Sequence, residues 1–285
     1  MTADDLKRQA ALRAVEYVHE GMDVGLGTGS TAEHAVREIG RRVREEALSV
    51  RCVATSDKIS RLATEVGIKV VTLEECPQLD VTIDGADEIV LGTLDAIKGM
   101  GGALLYEKMV ALATHEEILI VDGSKVVKKL GDHTSVPVEV VRWGWTRTRD
   151  TLRDLDCEPV LRVGAGQSPF ITDSGNLILD CRFPPMEDAY PIANAIKQIT
   201  GVVEHGLFLG IVARLVIATE DGVRIAGLVG RAAQDHRAEQ QGHQCRGDDS
   251  DPGPHDERHD QDGAREHEPA DRPVPPVRPR QHLHS

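Results

Sequence analysis

The chain of 285 residues is long enough for one large or two modest domains around a buried core, and its formal charge of -14, with no basic stripe, argues against a nucleic-acid partner. No apolar run is long enough to span a bilayer, and Met1-Thr2-Ala3-Asp4-Asp5 lacks the parts of a signal peptide, so a cytoplasmic protein without a membrane partner is expected. The five cysteines (Cys52, Cys76, Cys157, Cys181 and Cys245) include no Cys-x-x-Cys pair, which speaks against disulfide scaffolding and a thiolate metal site; Cys52 and Cys181 read as small buried apolar residues.

Apolar spacing through Leu6, Ala10, Ala14 and Val18 predicts a first helix over 6–18. A strand over 22–26 then runs into Gly25-Leu26-Gly27-Thr28-Gly29-Ser30-Thr31 and a helix over 32–43. Strand, polar loop and helix return as 50–54, Thr55-Ser56-Asp57 and 58–65. Further strands are expected at 70–71, 81–83 and 117–121, with a helix over 107–114. Strands alternating with helices imply an α/β fold, a Rossmann-like and mostly parallel sheet covered on both faces, whose ligands gather beyond the carboxyl ends of the strands.

A hinge at Gly131-Asp132-His133 separates this unit from a second one. There a strand from Val136, a helix over 146–155, strands at 160–163 and 177–180 and a helix over 189–199 suggest a smaller inserted α+β domain of the split βαβ (ferredoxin-like) kind. Late strands at 202–208, 215–218 and 223–226 can rejoin the first domain. The domains expected are thus 1–132 and 207–230 for the catalytic part and 133–206 for the insertion. Residues 231–285 are rich in Gln, His, Asp, Arg, Gly and Pro and contain no lysine, a composition that predicts a disordered tail. Its histidines lack compact metal-ligand spacing.

Chemistry concentrates in two stretches. In the first loop, Gly27 and Gly29 permit close backbone approach, Thr28, Ser30 and Thr31 supply hydroxyls, and the following helix presents its positive end, a combination suited to a phosphate; a tight βα turn capped by Thr or Ser is the competing reading. The loop fits neither Gly-x-Gly-x-x-Gly nor a Walker A motif. The second stretch runs from Asp84-Gly85-Ala86-Asp87-Glu88 through Lys98-Gly99-Met100-Gly101-Gly102-Ala103 to Glu107-Lys108. Asp84 and Asp87 can bind sugar hydroxyls or, alternatively, a magnesium ion; Lys98 can stabilise an oxyanion; Glu107 can act as a base beside a carbonyl or merely sit at a helix start. Lys7 and Lys125 are candidates for a distant phosphate or are ordinary surface lysines. No Ser/His/Asp order supports covalent hydrolysis.

These blocks, with Val136-Pro137-Val138-Glu139-Val140, Phe170-Ile171-Thr172-Asp173-Ser174-Gly175-Asn176 and Gly201-Val202-Val203-Glu204-His205-Gly206-Leu207-Phe208, closely resemble the A-type ribose-5-phosphate isomerase family from Lys7 to about Leu228. The resemblance implies interconversion of D-ribose 5-phosphate and D-ribulose 5-phosphate in the non-oxidative pentose phosphate pathway, without metal or organic cofactor, by a homodimer or homotetramer. It makes Glu107 the base and Lys98 the charge stabiliser. It assigns Asp84 to ring opening, Asp87 and the segment Asp84-Gly85-Ala86-Asp87 to the sugar, and Thr28, Ser30 and Thr31, between Gly27 and Gly29, to substrate. Lys7 and Lys125 take the phosphate end, and Gly99, Met100, Gly101 and Gly102 shape the floor of the site. Met100 stands where many relatives have glycine, which is expected to tighten the loop, and Arg142 where they often have proline, which is expected to affect the hinge. The rival readings are a non-catalytic sugar-phosphate sensor and a coenzyme A transferase-like enzyme.

Overall fold

The computed structural model describes residues 1–227, so the expectations for 228–230 and for a disordered 231–285 lie outside the described residues. Helix α1 (Ala3–Val15) opens on a reciprocal cap: the Thr2 hydroxyl accepts from the Asp5 amide and the Asp5 carboxylate accepts from the Thr2 amide at 2.9 Å. That cap starts the helix three residues earlier than apolar spacing alone predicts. Strand β1 (Asp23–Leu26), helix α2 (Ser30–Glu45), strand β2 (Arg51–Ala54), helix α3 (Asp57–Glu65) and strand β3 (Lys69–Val70) follow. Next come β4 (Leu79–Gly85), β5 (Glu88–Val90), β6 (Ala96–Ile97), helix α4 (Leu104–Leu112), β7 (Thr114–Asp122) and β8 (Val126–Val127). The chain continues through β9 (Val136–Val140), α5 (Trp145–Arg153), β10 (Glu158–Leu161), β11 (Leu177–Arg182), α6 (Tyr190–Lys197) and β12 (Val202–His205). It closes with β13 (Leu207–Phe208), β14 (Arg214–Thr219) and β15 (Gly222–Gly227).

Seven strands form one sheet in the order β15-β14-β7-β4-β1-β2-β3, parallel except for the β14–β15 hairpin. Ala10, Ala14, Val36, Ile39 and Ile59 of α1 to α3 bury one face with Ile83, Ile118 and Ile120, and Ala111 of α4 packs over Leu119 and Val121 on the other. This two-sided burial is why the central strands are nearly continuous in apolar residues. The order sets the carboxyl ends of β1, β4 and β7 side by side.

Strands β10-β11-β9-β12 make a separate antiparallel sheet on which Leu152 of α5 and Ala193 and Ile196 of α6 are buried, in the βαββαβ order anticipated for the smaller α+β unit. One expectation is corrected. The stretch 202–208 is not a single strand: β12 pairs with β9, whereas β13 pairs with β6 in a small third sheet, β13-β6-β5-β8. The break falls at Gly206, where an added Cβ would lie 2.2 Å from the Lys98 carbonyl oxygen and 2.7 Å from the Pro137 ring. Only glycine lets the backbone pass between the two, donating to the Pro137 carbonyl (2.8 Å) and accepting from the Lys98 amide (2.9 Å). Strands of two or three residues have no readable period, which hid the third sheet.

Glu88 ties β5 to the turn at 131–134 that precedes β9. Its buried carboxylate accepts from the backbone amides of Gly131 (2.6 Å), His133 (2.5 Å) and Thr134 (2.6 Å). Glu88→Ala leaves those amides without their partner and is expected to lower the free energy of unfolding by about 3 kcal/mol or more, measured by urea denaturation; a loss below about 1 kcal/mol would show the amides have other partners. Among the described residues no helix is long and apolar enough to cross a membrane.

Candidate active site

Asp84 sits at the end of β4, Lys98 directly after β6, and Glu107 in the first turn of α4, and the fold brings all three together. Lys98 Nζ lies 2.8 Å from Asp84 Oδ2 and 3.6 Å from Glu107 Oε2, and donates to the Gly85 carbonyl at 2.6 Å. The other Asp84 oxygen accepts from the amides of Gly85 (2.7 Å) and Thr28 (3.1 Å). All three side chains are at most 3% exposed. The cation facing Asp84 is Lys98, and the Asp87 carboxylate accepts from the Met100 amide at 3.0 Å. Gly27 is required by this geometry, because an added Cβ would stand 2.1 Å from the Asp84 carboxylate.

Burial sets the protonation pattern. Removal from water drives Glu107 up to about 8, against the pull of Lys98 and with the push of Asp84. Burial also raises Asp84, opposed by Lys98 and by the Gly85 and Thr28 amides. For Lys98 burial disfavours the charged form, but Asp84 and Glu107 outweigh it and hold the ammonium above the ordinary lysine range. A carboxyl near neutrality beside a permanent cation can take and return a proton.

Sequence reading passed over Glu117, placed in a strand that looked apolar. It is 1% exposed, shares the sheet face of Thr82, and neither carboxyl oxygen has a hydrogen-bond partner. Burial raises it well above the ordinary value, with Asp84 adding to that. Glu117→Met removes two unsatisfied oxygens at similar volume and is expected to raise stability by about 1–3 kcal/mol while keeping turnover within a few-fold. A thermal melt that shifts down would show that the carboxyl is doing something the structure does not display.

The two glycine loops meet over the cluster. Thr28 donates from its hydroxyl to Ser56 Oγ (2.8 Å) and shares a 2.8 Å bond with Thr55 Oγ1, so that Thr55 and Ser56, recognised as motif residues only, build the wall behind it. The Cβ that Gly101 lacks would be 3.7 Å from the Thr28 methyl. Gly99 and Gly102 carry the left-handed conformations of the loop (φ 98° and 90°), and an added Cβ at Gly102 would collide with Phe170 at 2.4 Å. Met100 needs no such conformation: it is 41% exposed, with Sδ 3.5 Å from the Arg162 guanidinium.

The lysines gather beside this cluster. Lys7 and Lys125 both line a cavity of about 470 Å³ between α1 and the turn after β7, together with Asp122, Gly123, Ser124 and Glu220. Asp84, Lys98 and Glu107 do not line it. Lys7 donates to Ser30 Oγ at 2.9 Å, which joins the cavity to the Gly29-Ser30-Thr31 start of α2 and, through Thr28, to Asp84. A helix N-terminus with two nearby ammonium groups suits a phosphate.

Lys108, next to Glu107, points elsewhere. Its ammonium pairs with Glu204 Oε1 at 2.9 Å and caps the Phe208 ring at 4.9 Å from the centroid, while Lys98 Nζ stands 5.3 Å from that same ring. Burial lowers Lys108 to about 8. Glu139 is structural too: it accepts from the Thr172 hydroxyl (3.0 Å) and the Asn176 amide (2.9 Å), tying two sequence motifs together inside the small sheet.

A buried carboxyl raised to about 8 beside a lysine, beyond the carboxyl ends of a parallel sheet and linked through Ser30 to a lysine-lined cavity, fits an α/β enzyme for a small anionic substrate. The model of the family described as ribose 5-phosphate isomerase A (phosphoriboisomerase A) matches residues 51–222. The chain is 47% identical over 222 residues to ribose-5-phosphate isomerase A of Synechococcus sp. (strain JA-3-3Ab), covering 78% of this chain and 96% of that one. It is 49% identical over 225 residues to that of Gloeobacter violaceus, covering 79% and 97%. Among solved structures, ribose 5-phosphate isomerase A from Methanocaldococcus jannaschii is 40% identical with a TM-score of 0.76, covering 79% of this chain and 100% of that one. A D-ribose-5-phosphate isomerase in complex with phospho-erythronic acid is 33% identical with a TM-score of 0.77, covering 80% and 100%. The chain belongs to the ribose 5-phosphate isomerase A family.

Proposed function

We propose that this chain interconverts D-ribose 5-phosphate and D-ribulose 5-phosphate by proton transfer through a cis-enediol(ate), as an isomerase of the pentose phosphate pathway. The observation that carries the reading is the buried Asp84–Lys98–Glu107 group, with a carboxyl raised to about 8 next to a fixed cation. In the open-chain aldose, the Glu107 carboxylate removes the proton on C2, the electrons form the C1=C2 bond, and the charge passes to O1, where Lys98 stabilises it. A proton moves from O2 to O1, and the Glu107 acid returns its proton to C1, leaving the carbonyl at C2. Asp84 assists ring opening and Asp87 orients sugar hydroxyls, the latter held by the Met100 amide. Gly27, Thr28, Gly29, Ser30 and Thr31 and the segments Asp84-Gly85-Ala86-Asp87 and Gly99-Met100-Gly101-Gly102 surround the sugar, and Lys7 and Lys125 take the phosphate.

The site residues need no metal or organic cofactor for these steps. The protein acts as a cytoplasmic homodimer or homotetramer, its catalytic part formed by 1–132 and 207–227 and its inserted part by 133–206. Incubation of metal-depleted protein with D-ribose 5-phosphate should yield D-ribulose 5-phosphate, competitively inhibited by phospho-erythronic acid. Binding of that acid by folded protein without any turnover would favour a sensor instead, and activity confined to a thioester would favour the transferase reading.

A further inference from the structure

We propose that Arg162, from the small antiparallel sheet, is a positioning residue for the isomerisation: its guanidinium fixes the peptide orientations of the substrate-facing loop at Gly99 and Met100. This rests on the active-site reading above. Arg162 directly follows β10, and its backbone is bonded on both sides, donating to the Ile178 carbonyl and accepting from the Phe170 amide, each at 2.9 Å. Its side chain is 11% exposed. The guanidinium donates to the Asp180 carboxylate through Nε at 2.9 Å and again through Nη2, a two-bond fork that fixes the plane of the group. The remaining nitrogen, Nη1, donates to the carbonyls of both Gly99 and Met100 at 3.0 Å.

Peptide planarity turns that contact into control of the opposite side of the loop. A trans peptide sets its carbonyl and its N–H in opposite directions. With the Gly99 carbonyl drawn to Arg162, the Met100 N–H points away from it and meets Asp87 Oδ2 at 3.0 Å. The same rule turns the Gly101 N–H away from Arg162. Gly99 takes a φ of 98°, and its carbonyl also accepts from the Gly102 amide at 3.0 Å, so Arg162 adds a hold from outside the loop to a turn that closes on itself. Two further contacts from the same part of the small sheet support the coupling. Phe170 fills the space beside Gly102, and the Asp173 carboxylate accepts from the Asp57 amide at 2.9 Å, at the start of the helix whose cap Ser56 bonds to Thr28. The inserted unit thereby sets the shape of the catalytic floor without contributing a reacting group.

The test compares the parent chain with Arg162→Met, Arg162→Lys, Arg162→Ala and Asp180→Asn. Arg162→Met should lower kcat by about 30- to 100-fold with KM for D-ribose 5-phosphate within about threefold, since misplacement of the floor penalises the transition state while Lys7 and Lys125 still hold the phosphate. Arg162→Lys and Asp180→Asn should fall between it and the parent. Guanidinium chloride at millimolar concentration should restore part of kcat to Arg162→Ala and none to Arg162→Met, whose side chain fills the space. Independently of activity, amide hydrogen exchange at Met100 should speed by at least tenfold in Arg162→Met, with the central sheet unchanged. Unchanged Met100 exchange, or parental kcat in folded Arg162→Met, would overturn the proposal. If Arg162→Met does not fold, Arg162→Lys and Asp180→Asn decide by the same two readings. A parent chain without turnover would sink the isomerase reading, whereas Met100 exchange reports on the clamp alone.

Discussion

Glu107→Gln is expected to lose about a thousandfold in kcat while becoming more stable than the parent at alkaline pH. The two effects have one cause. Burial raises Glu107 from 4.5 to about 8, so the folded protein keeps a proton that the unfolded chain releases. This carboxyl favours the folded state fully below pH 4.5, and the advantage is lost as pH rises through about 8. Glutamine does not ionise, so the variant should gain on the parent across that window, by a few kcal/mol at most at its upper end. Paired thermal melts at pH 5 and 8.5 should differ little at the lower pH and clearly at the higher. In the parent, kcat/KM should climb with pH towards a plateau above about 8 as the base becomes ionised. Parental turnover by folded Glu107→Gln would remove Glu107 from the role of base.

Lys98→Met should damage both activity and stability. With the ammonium gone, the developing O1 charge loses its stabiliser, which costs about 100- to 1000-fold in kcat. Asp84 and Glu107 also remain buried without their shared cation, which stood 2.8 and 3.6 Å away. Breaking such a buried pair costs about 3–5 kcal/mol, provided the carboxyls are charged. The loss should therefore be greatest near pH 8 and shrink towards pH 4, where both carboxyls take up protons. Adding Glu107→Gln should recover part of the stability, because the two residues are in contact and their effects do not add. A loss that is equal at both pH values would mean that packing, not charge, is what Lys98 contributes.

The acids and lysine of the candidate site were legible because they lie in short stretches of sequence. Asp84, Lys98 and Glu107 occupy the end of a strand, a loop and a helix start, where apolar strands run out, and polar crowding there has no use in a core. The alternation of β1, β2 and β3 with α2 and α3, and of β4 and β7 with α4, was equally plain, since a strand covered on both faces reads as an apolar run. What escaped depends on contacts made at long range. Arg162 meets Gly99 across 63 positions and Lys108 meets Glu204 across 96, and nothing near either residue signals its partner. Glu117 escaped for the opposite reason: one carboxyl among Ile118, Leu119, Ile120 and Val121 looks like an edge of the strand, yet it is buried. Motif membership did not separate chemistry from architecture either. Glu88 lies one residue beyond Asp87 in the same block, but binds the 131–134 turn rather than facing the cluster.

The central claim, a proton transfer at carbon carried by Glu107, is tested most directly by proton NMR of D-ribose 5-phosphate incubated in deuterium oxide with the parent chain and with Glu107→Gln. The parent should form D-ribulose 5-phosphate with deuterium accumulating at C1, and folded Glu107→Gln should form it about a thousandfold more slowly. No product from folded parent, or equal rates for the two proteins, would contradict it.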